Sequence, residues 1–383
     1  LSIQEDCFFE ILDFYKKDKI NNFNYALNLV EKNLKRSVED RLISSDFEVG
    51  AFLSGGIDSS LIVAMASQYV DKLKTFTVKF DGAFDESLLA KLTANKYGTD
   101  HTEIEISMNL RDDIESILNN YGEPFMDSSA VPSYYISKEA KKHVSVILNG
   151  DGADELFGGY RRYVPVANNW LNVSNYFSKL TSILPKSTRK DSYYNYFYRL
   201  LKLSNKKGLD FYNTATNDIF EDIYEFSSTN SFESMDLFIH ELQSEKISDL
   251  SKMLIMDFKF LLPSDLLKKM DIATMSSSLE GRSPFLSKYM LEIAPRLDDK
   301  FKIKGLTTKV LLRELGKKYL PKEIITQPKR GFEVPLTKWV DEDLKENILD
   351  LLSNNCYSSN FFPKGFINNL INSVYIVDRL RIG

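Results

Sequence analysis

The chain has 383 residues, enough for one large domain or two of ordinary size. Its hydrophobic fraction of 43% and charged fraction of 27% are those of a folded globular protein, and 49 basic against 54 acidic residues leave a net charge of -5. That balance gives no electrostatic reason for a nucleic-acid or anionic-membrane partner, no apolar run approaches the roughly 20 residues of a spanning helix, and LSIQEDCFFE lacks the layout of a signal peptide, so cytoplasmic residence is the expectation.

Residues 1–44 read as a helical segment in which Tyr25, Leu29, Leu34, Val38 and Leu42 keep helical spacing. The pattern then changes. EVGAFLS (48–54), LKTFTVKF (73–80), HTEIEI (101–106) and HVSVILNG (143–150) read as strands, separated by helix-length segments at 58–70, 85–97, 109–121 and 130–142. Strands alternating with helices predict an α/β unit over 45–165, a parallel sheet flanked by helices. Residues 166–250, rich in Asn, Ser, Tyr and Phe, read as a mainly helical insertion. Residues 251–383 read as an additional helical part, carried by DLSKMLIMDFKFLLPSDLLKKMD and LTTKVLLRELGKKYL. Cys7 and Cys356 lie far apart, and His101, His143 and His240 are scattered, so no metal-ligand spacing points to zinc.

Two loops carry the chemistry. After the first strand comes FLSGGIDSS (52–60). Gly55 and Gly56 permit a tight turn that brings backbone N–H groups to an anion, the following helix presents its positive end, and Ser54, Ser59 and Ser60 add hydroxyls. Asp58 would repel phosphate unless Mg2+ lies between them. The lysine of a Walker loop is missing. A lone SGG would be an ordinary helix-capping turn, but SGGIDSS after an apolar strand resembles the pyrophosphate loop of enzymes that split ATP into AMP and pyrophosphate. After the fourth strand comes NGDGADELFGGYRRY (149–163), with Asp151, Asp154 and Glu155 among four glycines. If the strand order is 3-2-1-4, both loops face one crevice at the carboxyl edge of the sheet, where Asp58 and Asp154 could share one Mg2+.

With MSSSLEGRSPFL (275–286), KVLLRE (309–314) and PKRGFEVPLTKW (328–339) in the same order, the chain resembles the synthetase domain of glutamine-dependent asparagine synthetase from about Asp40 to Trp339. The resemblance implies an adenine nucleotide α-hydrolase-like fold and ATP and Mg2+ as cofactors. It implies backbone contacts to adenosine from Leu53, Val78 and Gly150, and Mg2+ on Asp58 and Asp154. Lys309 becomes the catalytic lysine and Asp151 the acid beside the reacting carbonyl, with Glu280 and Arg282 shaping the site from the other side. On the residues alone, Lys309 reads as a solvated helix lysine. The implied reaction activates a carboxylate, L-aspartate first, as an acyl-adenylate that ammonia converts to an amide. The partners would be that carboxylate, ammonia, a glutaminase domain or subunit supplying it, and a second copy in a homodimer.

Two departures bear on the substrate. Asp151 stands where many asparagine synthetases carry Glu, and Ser287 replaces the Asp of PFLD. Both keep open the amidation of another carboxylate, such as a uronic acid of a surface polysaccharide. The β-lactam synthetases carry tyrosine at the position of Asp151, so an acid there argues for external ammonia. A tRNA-modifying ATP pyrophosphatase would want a basic surface, and a non-catalytic scaffold would have lost some of Asp58, Asp151, Asp154 and Lys309. The expected N-terminal nucleophilic cysteine of a glutaminase domain has no counterpart at Leu1.

Overall fold

The computed structural model describes residues 8–79, 85–105, 110–170, 233–327 and 339–352, with a few isolated positions between 183 and 212. Cys7 and Cys356, and most of the 166–250 segment, lie outside the described residues. The short helix α1 (Ile11–Tyr15) is capped by the Glu10 side chain, and the long helix α2 (Phe23–Ile43) by Asn22, whose Oδ1 accepts from the Tyr25 amide at 2.9 Å. The buried face of α2 is Ala26, Leu27, Val30, Leu34, Ser37 and Val38. Tyr25 is 59% exposed, so the stripe read from the sequence begins one residue too early.

The alternation of strands and helices then follows as read. It runs β1 (Val49–Phe52), α3 (Ile57–Ala66), β2 (Lys74–Lys79), α4 (Ser87–Tyr97), β3 (Asp100–Glu105), α5 (Leu110–Tyr121), α6 (Ala130–Ala140) and β4 (Val146–Leu148). All pairings are parallel, with Gly50 opposite both Lys74 and Ile147. The expected order 3-2-1-4 is extended by one strand, β5 (Glu280–Arg282), giving β3-β2-β1-β4-β5. That fifth strand comes from outside the 45–165 stretch that the alternation marks.

The sheet is covered on both faces, which is why β1 and β4 at its centre are apolar throughout. One face packs Leu61, Ile62 and Met65 of α3 with Leu34 and Val38 of α2. The other joins Phe76, Val78 and Ile147 of the sheet to Ile136 and Ala140 of α6.

After β4 come α7 (Ala153–Phe157) and α8 (Val164–Ala167). The described chain resumes with α9 (Glu233–Ser244) and α10 (Asp249–Met256). These join α1 in a separate apolar cluster that includes Tyr163, Leu242, Leu254 and Met256. α10 runs directly into a π-helical stretch, Asp257–Leu267, and then into α11 (Lys268–Met275). Pro263 lies inside that stretch. Proline lacks the N–H that an α-helical turn needs and its ring crowds the preceding turn, and a wider turn accommodates both. The remaining described helices are α12 (Lys288–Ile293), α13 (Asp299–Lys302), α14 (Val310–Tyr319), α15 (Lys322–Thr326) and α16 (Lys345–Leu351). Among the described residues, no helix is long and apolar enough to cross a membrane.

The N-terminal segment is fastened to the C-terminal helices. Ile20 bridges Leu297 in parallel, and Lys302 of α13 lies wholly buried with its Nζ 4.9 Å from the centre of the Tyr15 ring. Burial first, and then the nearby Lys19 charge, push the Lys302 pKa down to about 7, against a smaller opposing pull from Asp299. A lysine whose folded pKa lies below its unfolded value binds fewer protons when folded, so its penalty on stability is complete below pH 7 and fades as pH rises toward the unfolded value. Lys302→Met is therefore expected to raise stability by a few kcal/mol at pH 7 in urea unfolding. The advantage should shrink between pH 7 and pH 10, and an advantage independent of pH would contradict this account.

Candidate functional site

The two glycine loops meet at the carboxyl ends of β1 and β4. A methyl group added at Gly150 would lie 3.1 Å from the Asp58 Cβ and 3.2 Å from the Ser59 amide nitrogen, so the loops are in direct contact. The first loop is held open by its own hydroxyls. Ser54 and Ser59 share a hydrogen bond at 3.0 Å, the Ser54 amide donates to Ser59 Oγ at 3.2 Å, and the Gly56 amide donates to Ser54 Oγ at 3.2 Å. Gly56 is the N-cap of α3, which places the positive end of that helix at the crevice. Leu53 donates its amide to Phe76 and, like Val78, is buried in the sheet beneath. Ser60 is turned away, accepting from Thr93 of α4 at 3.2 Å within the core.

A third segment completes the centre. Lys309 is the N-cap of α14 and adopts a left-handed backbone, φ 52°. This conformation is costly for a residue with a side chain and persists where surrounding structure enforces it. Its side chain is 2% exposed, so it is no solvated helix lysine. Its Nζ stands 2.5 Å from Asp58 Oδ2 and 2.6 Å from Asp154 Oδ1, one ammonium between two carboxylates from two different loops. Gly159 provides the space. A Cβ there would fall 1.6 Å from Asp154 Oδ1 and 2.4 Å from Lys309 Cε. Neither the twist at Lys309 nor the need for Gly159 has a signal in composition or periodicity.

Asp151 lies in the second loop, between β4 and α7, half-buried, with its amide donating to Asn149 Oδ1 at 3.4 Å. Glu280 is not brought to this centre. It lies on edge strand β5 opposite Val146, exposed, and accepts from Arg282 Nε at 2.8 Å. Arg282 in turn donates to the Arg41 carbonyl at 2.6 Å and to Ser44 Oγ at 3.0 Å, so it ties the end of α2 to the sheet. Ser283 of the same motif donates to Asn149 Oδ1 at 2.5 Å and so braces the acidic loop. Ser287 caps α12, accepting from the Met290 amide at 3.4 Å. Asp and Ser serve equally as N-caps, so this departure from PFLD says nothing about substrate.

Behind the acidic loop lies a buried polar network. Asp257, fully buried, accepts from Arg162 at 2.7 Å, from Tyr212 at 2.7 Å and from Tyr163. Glu155 accepts from Tyr160, and burial followed by the Asp154 charge pushes its carboxyl up to about 7. Arg313 of the KVLLRE motif donates to the Thr308 carbonyl at 2.9 Å and to the Gln327 carbonyl at 3.0 Å, fixing the first turn of α14 against the end of α15. Residues 328–338 of the fourth motif lie outside the described residues, but its last residue, Trp339, packs with Ala130 and Val131 at the start of α6.

Sequence reasoning passed over a polar group at the same end of the sheet. α6 leads into β4 and α11 leads into β5, so the beginnings of both helices lie at the carboxyl edge. There Lys269 donates to Asp127 at 2.6 Å and to Ser129 Oγ at 2.8 Å. Burial, and then the neighbouring Asp127, push the Asp265 carboxyl up to about 6.

Asp58 Oδ1 is buried and has no hydrogen-bond partner, in a setting of hard oxygen donors. That fits a divalent cation such as Mg2+ shared by Asp58 and Asp154. Among the described residues no three His, Cys, Asp or Glu side chains form a metal group, so further ligands would come from substrate phosphates and water.

A sequence profile described as asparagine synthase matches residues 29–375. The chain is similar to glutamine-hydrolyzing asparagine synthetase 1 of Bacillus subtilis (strain 168), 32% identical over 343 residues that make up 84% of this chain and 53% of that protein. It is similar to a putative glutamine-hydrolyzing asparagine synthetase of Mycobacterium tuberculosis (strain ATCC 25618 / H37Rv), 32% identical over 315 residues, 77% of this chain and 46% of that one. It also matches amidase chyE of Penicillium rubens at 23% identity over 376 residues, 85% of this chain and 54% of that one. The chain spans about half the length of these curated relatives.

The crowding at Gly159 gives a test of the centre. Gly159→Ala is expected to lower the stability of the ligand-free protein by about 1–3 kcal/mol in urea unfolding. Gly281→Ala, where a Cβ would meet nothing nearer than 3.6 Å, serves as the control and should cost less.

Proposed function

Since the chain belongs to the asparagine synthase family, we propose that it is the ATP-dependent amide-forming part of a ligase, activating a carboxylate as an acyl-adenylate and passing it to ammonia. L-Aspartate is the first candidate substrate and asparagine the product. The observation that carries this reading is the Lys309 ammonium held between Asp58 of the first glycine loop and Asp154 of the second.

Each group has a task in that chemistry. A carboxylate is a poor acyl donor because its leaving group is oxide or hydroxide. Attack of its oxygen on the α-phosphorus of ATP, with loss of pyrophosphate, makes AMP the leaving group instead. Charge builds on the phosphoryl oxygens as this happens, and preorganised cations and N–H donors stabilise it. The loop Ser54–Ser59, at the positive end of α3, is shaped to take the departing pyrophosphate. When bound, Mg2+ neutralises phosphate charge. Lys309, anchored at the head of α14 beside Asp58 of the first loop, would stabilise the transferring group and, afterwards, the oxyanion formed when ammonia attacks the acyl carbon. Asp151, in the second loop just after β4, takes the proton that ammonia must lose. Leu53, Val78 and Gly150 would hold adenosine along the edges of β1, β2 and the loop after β4. Ammonia would reach the site from a glutaminase partner or domain, as in the glutamine-hydrolyzing relatives.

With Ser287 accounted for as a helix cap, Asp151 in place of Glu is the departure that still bears on substrate. It keeps amidation of another carboxylate, uronic acids first, as the second reading. Pyrophosphate release from Mg-ATP and ammonium, with and without L-aspartate, separates the two. Aspartate-dependent pyrophosphate with equal AMP and asparagine is expected, and no response to aspartate would move the search to other acids. Lys309→Ala is expected to lower pyrophosphate release by about 100- to 1,000-fold while ATP still binds. Asp151→Asn should leave adenylate formation largely intact and slow amide release about 100-fold, as single-turnover quench experiments would show. Equal loss of both half-reactions would remove Asp151 from its role.

A further inference from the structure

The place between Asp58 and Asp154 is taken by the protein's own cation. The Lys309 ammonium is 2.5 Å from one carboxylate and 2.6 Å from the other, with 2% of its side chain exposed. We propose that Lys309 is a tethered counter-ion that bars a free divalent cation from the Asp58–Asp154 pair, so that the metal enters together with nucleotide, when phosphates draw the ammonium away. The proposal deepens the nucleotide-binding reading of this site and rests on it.

Three observations support the exchange. The ammonium and a divalent cation would compete for the same two carboxylates, and the tether keeps the ammonium permanently at hand. Asp58 Oδ1 is left buried and without a hydrogen-bond partner even with Lys309 in place, so one ammonium does not satisfy the pair. Finally, the described residues offer no third carboxylate, histidine or thiol to complete a metal group. A hard cation that prefers six oxygen ligands therefore gains its remaining protein-independent ligands from phosphates and water. With nucleotide present, the phosphates offer the ammonium an equivalent anionic partner, so leaving the carboxylates costs it little. Without nucleotide, a metal ion would have to displace a buried ammonium that has nowhere else to go.

A consequence follows for the order of events. Metal and nucleotide should bind as one unit, and the residue that stabilises the transferring phosphoryl group should be released to do so at the moment the phosphates arrive.

The test uses Mn2+ alone as the probe, with binding to the whole chain read by the loss of its free-ion EPR signal. Wild-type protein is expected to bind Mn2+ weakly. Lys309→Met should bind it about 100-fold more tightly, the factor expected if the ammonium holds the pair about 99% of the time. Adding Asp58→Asn to Lys309→Met should remove the gain. If wild type binds Mn2+ alone as tightly as Lys309→Met, or if Lys309→Met shows no gain, the exchange is overturned. Should Lys309→Met fail to fold, Lys309→Gln and the wild type decide the matter. Millimolar Mg2+ alone should leave the wild-type Tm unchanged, and a clear rise would overturn the proposal. None of these arms contains nucleotide or acyl substrate, so they give an answer even if the protein releases no pyrophosphate with any acid tried.

Discussion

One buried ammonium holds together three segments that are remote in sequence. Asp58 belongs to the first turn of α3, Asp154 to the first turn of α7 in the segment after β4, and Lys309 to the head of α14. A buried pair of carboxylates without a counter-charge would be strongly unfavourable, and removal of one partner from such a group is far more disruptive than its net contribution suggests. The rest of the local structure accommodates this contact. Gly159 leaves room for it, the left-handed cap at Lys309 aims the side chain inward, and Arg313 pins the turn behind it to the backbone carbonyls of Thr308, Ile325 and Gln327.

Much of the fold was legible because parallel α/β architecture writes a strong signal. Four strand runs, two apolar and two alternating, separated by helix-length stretches gave the sheet, and the glycine loops at their ends gave the crevice. β5 was not legible. Its three residues, Glu280–Arg282, carry no apolar alternation, and it exists because its backbone continues the ladder beside β4. The π-helical stretch escaped for a related reason. DFKFLLPSDLL has apolar residues on every side, so periodicity cannot separate a wide turn from an ordinary one, and Pro263 would by itself suggest a break. Lys269, Asp127 and Ser129 meet only across two helices, which no local pattern records.

The motifs divide their labour differently from what the sequence suggests. In MSSSLEGRSPFL, Arg282 fastens α2 to the sheet and Ser283 braces Asn149, while Ser287, the next residue, caps α12. Glu280 engages Arg282 rather than the cluster around Lys309. In KVLLRE, Lys309 reaches the carboxylates while Arg313 holds its turn in place. Recurring residues of a motif thus comprise both chemistry and the joints that keep chemistry in position, and sequence alone presents them as one list. Burial and hydrogen-bond partners separate the two kinds.

The separation of 251 residues between Asp58 and Lys309 has a consequence for biosynthesis. The first glycine loop leaves the ribosome long before the lysine that completes it. Until α14 is made, the emerging sheet presents Asp58 and Asp154 with no cation between them, and closing so long a loop is a late, slow step. A nascent chain, or one cut short before Lys309, therefore carries both carboxylates without the ammonium that lies between them in the finished fold.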